Sequence, residues 1–342
     1  MRYRFYTSSI SAWKGMLSAI SSAKKSIYLE MYIFQDDTKG YDFLSVLEKK
    51  AKEGVHVVLV LDSLGSFGLS SEAVHSLRVS GVEVLFFSYW FRRLHRKILI
   101  VDEKVVFLGG VNIGGVYAPW RDLQVRVAGR KMLASSMRSF ARVYHECGGK
   151  NTTLLSLLGP RPLFRKTKTW FAEHGISGKW IEIRQQYEKH ISEAKNSIIL
   201  VTPYFFPRRW LVARLHEAIL RGVMVEIIVP KDTDHGWIMN RINYFQLSFF
   251  ERLGAIGYLS NEMNHAKVLL IDNTVGMVGS GNLDPLSFGW NAEAGVFFAR
   301  PAMIRDLHKI LNEWKEEAVL LTPLTFQPRW YDFLLEILRR IF

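Results

Sequence analysis

Short apolar runs alternate with amphipathic stretches along much of this chain, the pattern of buried strands separated by the helices that cover them. Ile27-Tyr28-Leu29-Glu30-Met31-Tyr32-Ile33-Phe34 has the composition of a buried strand. Tyr41 to Lys52 sets Phe43, Leu44 and Leu47 on one helical face, and Gly54 ends it. Val55 to Leu61 reads as a second apolar strand, Ser71 to Ser80 as a short helix broken by Gly81, and Val82 to Phe87 as the next strand. Such alternation predicts an α/β fold of parallel strands with covering helices.

The pattern returns after residue 180. Ile20-Ser21-Ser22-Ala23-Lys24-Lys25-Ser26-Ile27 aligns with Ile191-Ser192-Glu193-Ala194-Lys195-Asn196-Ser197-Ile198, and Gly54-Val55-His56-Val57 with Gly222-Val223-Met224-Val225. A repeat of this length is too long for a solenoid and predicts two like α/β domains packed about a pseudo-twofold, a fused version of an isologous dimer. The expected boundaries are 1–130 and 181–320, joined by a helix plus connecting insertion over 131–180 that carries the basic, aromatic run Leu163 to Phe171. Beyond them, Trp330, Phe333, Leu334, Ile337, Leu338 and Ile341 fall at helical spacing, so 321–342 is expected to be an amphipathic C-terminal helix, docked on its own domain or on a membrane surface.

Each half contains one copy of a longer pattern. His95, Lys97, Asp102, Gly109-Gly110 and Asn112 recur as His265, Lys267, Asp272, Gly279-Ser280 and Asn282, so both copies read H-x-K-x4-D-x6-G-[GS]-x-N. The apolar residues after each lysine make the segment a strand, on which positions i and i+2 share a face, so each half offers one imidazole and one ammonium side by side. Asn112 and Asn282 follow Gly-rich turns and add amide donors. Brought together by a pseudo-twofold, these groups suit a phosphodiester: lysines and asparagines hold its oxygens, one histidine attacks, and the other protonates the leaving alcohol. An imidazole nucleophile needs an acid to fix its tautomer. Asp122 follows His95 by 27 residues and Glu293 follows His265 by 28, each where a return strand begins, and these are the expected orienting acids. Asp102 and Asp272 end apolar strands at turns and are expected to be structural.

Composition narrows the partners. A chain of 342 residues, 49% hydrophobic, can bury a large core. Lys+Arg exceed Asp+Glu by 45 to 32, a net +13 that favours an anionic partner, either phospholipid headgroups or nucleic acid. Aromatics at 13% tilt the choice toward an apolar ligand or membrane interface. Phe86-Phe87-Ser88-Tyr89-Trp90-Phe91-Arg92-Arg93, just before the first motif, combines apolar wedges with two cations where the mouth of a site belongs. The single Cys147 excludes an intrachain disulfide and a Cys-clustered zinc site. One histidine per motif with a lysine beside it disfavours any metal, and no cofactor is expected. With no uncharged apolar run of bilayer length, membrane contact is expected to be peripheral. The other histidines, His235 in its polar loop among them, receive no role.

The paired motif resembles that of the phospholipase D superfamily. Glu30-Met31-Tyr32-Ile33-Phe34, Thr202-Pro203-Tyr204-Phe205-Phe206-Pro207 and Gly279-Ser280-Gly281-Asn282-Leu283-Asp284-Pro285-Leu286-Ser287 are similar to the bacterial cardiolipin synthases in particular, of a short type without the N-terminal membrane hairpin. The resemblance spans about residues 20 to 300. It implies His95 as nucleophile and His265 as acid/base, a phosphohistidine intermediate, and cardiolipin made from two phosphatidylglycerols with release of glycerol, at the cytoplasmic side of a bacterial membrane. A phospholipase D or another phosphodiesterase of the superfamily, nucleases included, is the alternative, with nucleic acid the less favoured partner. Two departures from symmetry stand out: Gly110 where the second copy has Ser280, and Asp122 opposite Glu293.

Overall fold

The computed structural model describes residues 2–159, 168–175 and 181–322, together with Arg329 and Asp332. The first half runs β1 (Arg2–Ser8), α1 (Ser9–Ser21), β2 (Ser26–Met31), α2 (Phe43–Lys52), β3 (His56–Asp62), α3 (Ser71–Val79), β4 (Glu83–Phe87), β5 (Lys97–Val101), β6 (Val105–Gly109) and β7 (Arg121–Ala128). Its helices start where side chains satisfy their first N–H groups. Ser8 and Ser11 form a capping box on α1, and the Asp42 carboxylate accepts from Ser45 N at 2.9 Å at the head of α2.

The second half repeats the plan. After α4 (Arg130–Glu146) and α5 (Thr152–Leu155) come β8 (Thr169–His174), α6 (Glu182–Glu193), β9 (Ser197–Val201), α7 (Arg209–Leu220), β10 (Met224–Pro230), α8 (Gly236–Leu253), β11 (Ile256–Ser260), β12 (Val268–Ile271), β13 (Val275–Gly279), β14 (Glu293–Phe298), α9 (Pro301–Glu316) and β15 (Val319–Leu320). Among the described residues the sheet orders are β1-β7-β6-β5-β2-β3-β4 and β15-β11-β10-β9-β12-β13-β14-β8. Leaving out β15, each strand of one sheet has a counterpart in the other, which is the pseudo-twofold expected from the repeat.

The parallel sheet expected from the sequence is only half of each sheet. β2, β3 and β4 are parallel, as are β9, β10 and β11, while the motif strands β5 and β12 run antiparallel to their neighbours and open antiparallel meanders. The reason is the turn after each motif strand. Asp102 and Glu103 have φ near +50°, as do Asp272 and Asn273, and the turns close through Lys104 N to Val101 O and Thr274 N to Ile271 O. A two-residue reversal of that hand returns the chain as a hairpin, with no room for a crossover helix. The Asp102 and Asp272 carboxylates then accept from the backbones of Lys24 to Ser26 and of Lys195 to Ser197, fastening each hairpin to the loop that enters the neighbouring strand.

The span read as a connecting insertion contains more than a connection. Thr169–His174 is the edge strand β8, paired with β14 as β1 is paired with β7, so the second sheet already begins inside 131–180. Nothing in its sequence repeats β1, since β8 is buried through Ala172-Glu173-His174, with Glu173 against Arg96 and α4, whereas β1 is largely half-exposed. The run Leu163–Thr167 and most of the expected C-terminal helix lie outside the described residues; at its start Leu321 is not helical and donates its N–H to Gly257 O.

Helices α1 to α3 cover the outer face of the first sheet, and α6 to α8 that of the second. The inner faces pack against each other with α4 and α9: Val106, Leu108, Val125 and Val127 of the first sheet share a core with Val278, Val296 and Phe298 of the second, Phe140 of α4 and Leu307 of α9. At about 1.5–3 kcal/mol for each such side chain fully removed from water, this shared layer binds the halves into one body. It also fixes the ends of β5 and β12 toward each other.

Candidate active site

Each motif histidine stands just before its strand, and backbone hydrogen bonds from the other half hold it there. His95 N donates to Ala292 O at 3.0 Å and Ala292 N to Arg93 O at 2.8 Å; His265 N donates to Arg121 O at 2.8 Å and Arg121 N to Met263 O at 3.1 Å. Ala292 precedes Glu293 and Arg121 precedes Asp122, so these bridges set each acid against the histidine of the opposite half. His95 Nδ1 lies 2.9 and 3.1 Å from the Glu293 oxygens, and His265 Nδ1 lies 2.8 Å from Asp122 Oδ2. The two acids are where sequence spacing put them, yet they are exchanged between the halves, which spacing within one half cannot reveal. Since an ionised carboxylate only accepts, His95 carries its proton on Nδ1 against Glu293 and leaves Nε2 as a lone pair. His265 does the same whenever Asp122 is ionised, and holds its proton on Nε2 when Asp122 is protonated and donates to Nδ1.

All these groups are buried, and burial dominates their charge. It lowers His95 to about 4 against the pull of Glu293, and takes His265 well below its ordinary value, so both rings are neutral near pH 7. Burial pushes Asp122 up to about 7. On Glu293 burial also acts upward, but His95, Lys97 and the Ser280 hydroxyl outweigh it and hold the carboxylate below its usual range. The asymmetry follows from the residues beside the acids. Ser280 Oγ donates to Glu293 Oε2 at 2.5 Å, while Gly110, its counterpart, leaves room for the shorter Asp122, into whose carboxylate a Cβ at 110 would be driven.

Lys97 and Lys267 depart from the expectation that they face the ligand beside their histidines. Each ammonium turns back to the carbonyl of its own motif histidine, at 2.8 Å and 2.5 Å, and neither lysine is in the cavity wall. Burial lowers Lys97 to about 7 and Lys267 to about 8, with Glu293 and Asp122 opposing it. Asn112 and Asn282 do reach the cavity, and the Oδ1 atom of each is buried without a hydrogen-bond partner among the described residues.

One cavity of about 450 Å³ is lined by both histidines and both asparagines. Tyr32 packs on His95 at 4.7 Å between ring centroids and Trp120 on His265 at 5.2 Å. Tyr204, Asp234, His235 and Asp284 also line it. Tyr204 and Asp284 fall in stretches that carry the family resemblance but receive no role of their own from the sequence, nor does Asp234. His235, for which the sequence favours a polar loop over the rim of a pocket, lines the cavity. At the mouth, Trp90 and Phe91 are 84% and 71% exposed, and Leu286 and Trp290 of the second half, the latter's ring 6.5 Å from that of Phe91, are exposed as well. Phe87 and Phe86, expected in this rim, point elsewhere: Phe87 is buried in β4 and Phe86 packs on the outer core. Two supports of the first motif also escaped the sequence. Asp62 accepts from Leu94 N at 2.7 Å, and Arg96, on the opposite side of the strand from the histidine, is buried against Glu30, Ser139 and Glu173.

Among the described residues no group of three or more His, Cys, Asp or Glu is arranged to hold a metal ion, and no helix is long and apolar enough to cross a membrane.

The family described as cardiolipin synthase, PLD-like domain, matches residues 16–141 and 187–315. A cardiolipin synthase of Listeria welshimeri is 30% identical over 342 residues, covering 93% of this chain and 70% of that one. The major cardiolipin synthase ClsA of Bacillus subtilis is 31% identical, covering 91% of this chain and 68% of its own. The crystal structure of phosphatidylserine synthase from Haemophilus influenzae has the same fold, with a TM-score of 0.77 at 18% identity over 99% of this chain and 93% of that one. The chain belongs to the cardiolipin synthase family of the phospholipase D superfamily and is, with that family, a phosphatidyltransferase.

Proposed function

We propose that this phosphatidyltransferase makes cardiolipin from two molecules of phosphatidylglycerol at an anionic membrane surface, releasing glycerol. The observation that carries the reading is the single cavity holding both histidines, each with a carboxyl group of the opposite half on Nδ1. His95 Nε2 attacks phosphorus and the bond to glycerol breaks. The glycerol oxygen takes from His265 Nε2 the proton that the His265–Asp122 pair carries only while Asp122, raised to about 7, is protonated, which leaves a neutral ring and an ionised Asp122. The phosphohistidine keeps its Nδ1–H on Glu293, whose ionised carboxylate offsets the charge gained by the ring. His265 then takes the proton of the second lipid's hydroxyl, whose oxygen bonds phosphorus as the P–N bond breaks. Asn112 and Asn282 donate to the phosphoryl oxygens, and Lys97 and Lys267 contribute positive charge from just behind the histidines, where low dielectric makes it most effective. Ser280 holds Glu293; Asp102 and Asp272 hold the hairpins.

Water competes for any phosphohistidine, so transfer depends on keeping it scarce. The exposed rim of Trp90, Phe91, Leu286 and Trp290 suits burial among acyl chains, and the net +13 suits a surface of anionic headgroups such as the cytoplasmic leaflet of a bacterial membrane. Phosphatidylglycerol vesicles should therefore yield mainly cardiolipin. Vesicle binding should weaken as salt rises and in Trp90→Ser and Phe91→Ser. Phosphatidic acid dominating at every lipid density, or single-stranded DNA cut faster than lipid is consumed, would replace this reading with that of a phosphodiesterase.

A smaller variant tests the geometry around Asp122. Gly110→Ala should displace that carboxylate from His265 and cost roughly a hundredfold in cardiolipin formation, while thermal melting shows the protein still folded. Full activity in a folded Gly110→Ala enzyme rules out a strict placement of Asp122.

A further inference from the structure

We propose that the His265 side of the cavity is a subsite for a hydroxyl-rich, uncharged alcohol headgroup, formed by Asp234, Asp284, Tyr204 and Asn282; the inference rests on the transfer reaction above. The two walls of the cavity are related by the pseudo-twofold, but their chemistry is not. Aligning the motifs puts Asp284 opposite Gly114 and Arg93 opposite Met263, and aligning the strands before them puts Tyr204 opposite Ile33. The equivalent bridges Phe34 to Ile113 and Phe205 to Leu283 fix that correspondence in space. Toward His95 the wall thus offers Ile33, the Tyr32 ring and the Arg93 guanidinium, and toward His265 the Tyr204 phenol and two carboxylates, so what sets the sides apart is the pair of acids.

The acidic wall is built and aimed. Tyr204 Oη donates to Asp234 Oδ1 at 2.5 Å, and the Tyr204 ring lies 6.4 Å from that of His265 and 4.9 Å from that of His235. Asp284 accepts from Ser287 N at 2.7 Å. Asn282, 5% exposed, lines the same wall, and its Oδ1 has no partner among the described residues, which leaves a buried acceptor for a ligand to satisfy. The turn at Ser287 uses Asp284 and Tyr204 uses one oxygen of Asp234, but among the described residues the fold finds no use for the Asn282 oxygen.

The reaction does. An alcohol oxygen must stand against His265 both when it leaves with a proton and when it enters and gives one up, so the remainder of that alcohol lies against Asp234 and Asp284 in both steps. Carboxylates and an amide oxygen there accept from further hydroxyls, while an acceptor bearing its own carboxylate is repelled. A monohydric alcohol brings no second donor and gains nothing. Glycerol leaves and the glycerol headgroup of a second lipid enters through the same contacts, whereas Arg93 opposite takes no part in choosing the alcohol.

The test offers wild-type protein phosphatidylglycerol vesicles with equal concentrations of deuterated glycerol and ethanol, and reads deuterated phosphatidylglycerol against phosphatidylethanol by mass spectrometry. Wild type should favour glycerol, and Asp234→Asn and Asp284→Asn should each lower the product ratio by about tenfold, the loss of one charge-assisted hydrogen bond. Tyr204→Phe, which frees Asp234 without removing its charge, should shift the ratio less and gives the same readout if an acid variant forms too little of either product. An unchanged ratio across the variants, with both products present, overturns the subsite and leaves the transfer reaction standing. Absence of both products from wild type, with phosphatidic acid formed instead, overturns the transfer reaction and the subsite with it.

Discussion

Alanine at either His95 or His265 should abolish cardiolipin formation, by about 10⁴-fold or more, and neither variant should retain half of the wild-type rate. A duplicated chain with two independent sites loses half its activity when one is destroyed. Here both histidines line one cavity, and each takes its carboxylate from the other half, so neither half contains a complete set. The two losses should nevertheless differ in kind. A phosphatidyl ester of p-nitrophenol has a leaving group that needs no proton, so His265→Ala should still release a burst of nitrophenolate as His95 is phosphorylated, and His95→Ala should release none. A half-active variant refutes the shared site, and a burst from His95→Ala reverses the assignment of nucleophile.

The fold was legible where its cause is local and the site where its cause is repetition. Apolar runs such as Val55 to Leu61 announce buried strands because every position of β3 but the first is buried. The duplicated H-x-K spacing announces a pair of equivalent groups whatever surrounds them. What stayed hidden depends on contacts between distant segments. That Glu293 serves His95 is decided by the bridge from Ala292 to the loop before His95, which exists only once the two inner sheet faces have packed. The lysines were placed on the ligand side by strand periodicity, yet β5 starts only at Lys97 and β12 only at Val268, so the alternation does not extend through either histidine. Asp234, His235 and Asp284 come from loops, whose sequences carry no periodicity to read, and they reach the cavity because β10 and the turn after Asn282 end beside it.

The exchanged carboxylates make the second large prediction. Glu293→Gln preserves the shape of the side chain but removes the charge that offsets the phosphorylated His95 ring, and Asp122→Asn does the same behind His265; each should lower kcat/KM by about 10³-fold. Double variants reveal which histidine each acid serves. With the nitrophenyl ester, Glu293→Gln should impair the burst of His265→Ala as severely as it impairs wild type, whereas Asp122→Asn should add little once its imidazole is gone. The opposite pattern would show that the acids work within their own halves. Acidity separates the two further. Asp122, raised by burial to about 7, titrates as one unit with His265 and takes up a proton as pH falls through that value. The phosphohistidine then has no base for the second lipid's hydroxyl, so kcat should decline on the acid side of 7. Lys97 and Lys267, lowered by burial to about 7 and about 8, lose their charge as pH rises and should bring the rate down on the alkaline side. The profile is then a narrow bell. Glu293 is held below the usual carboxylate range and gives no limb of its own, but its charge, like that of Asp122, acts to raise Lys97 and Lys267. Glu293→Gln should therefore lower the bell and move its alkaline limb to lower pH, while Asp122→Asn should erase the acid limb and move the alkaline limb the same way. An acid limb that survives in Asp122→Asn assigns that proton to another group, and with it the acid/base role to a residue other than the His265 and Asp122 pair.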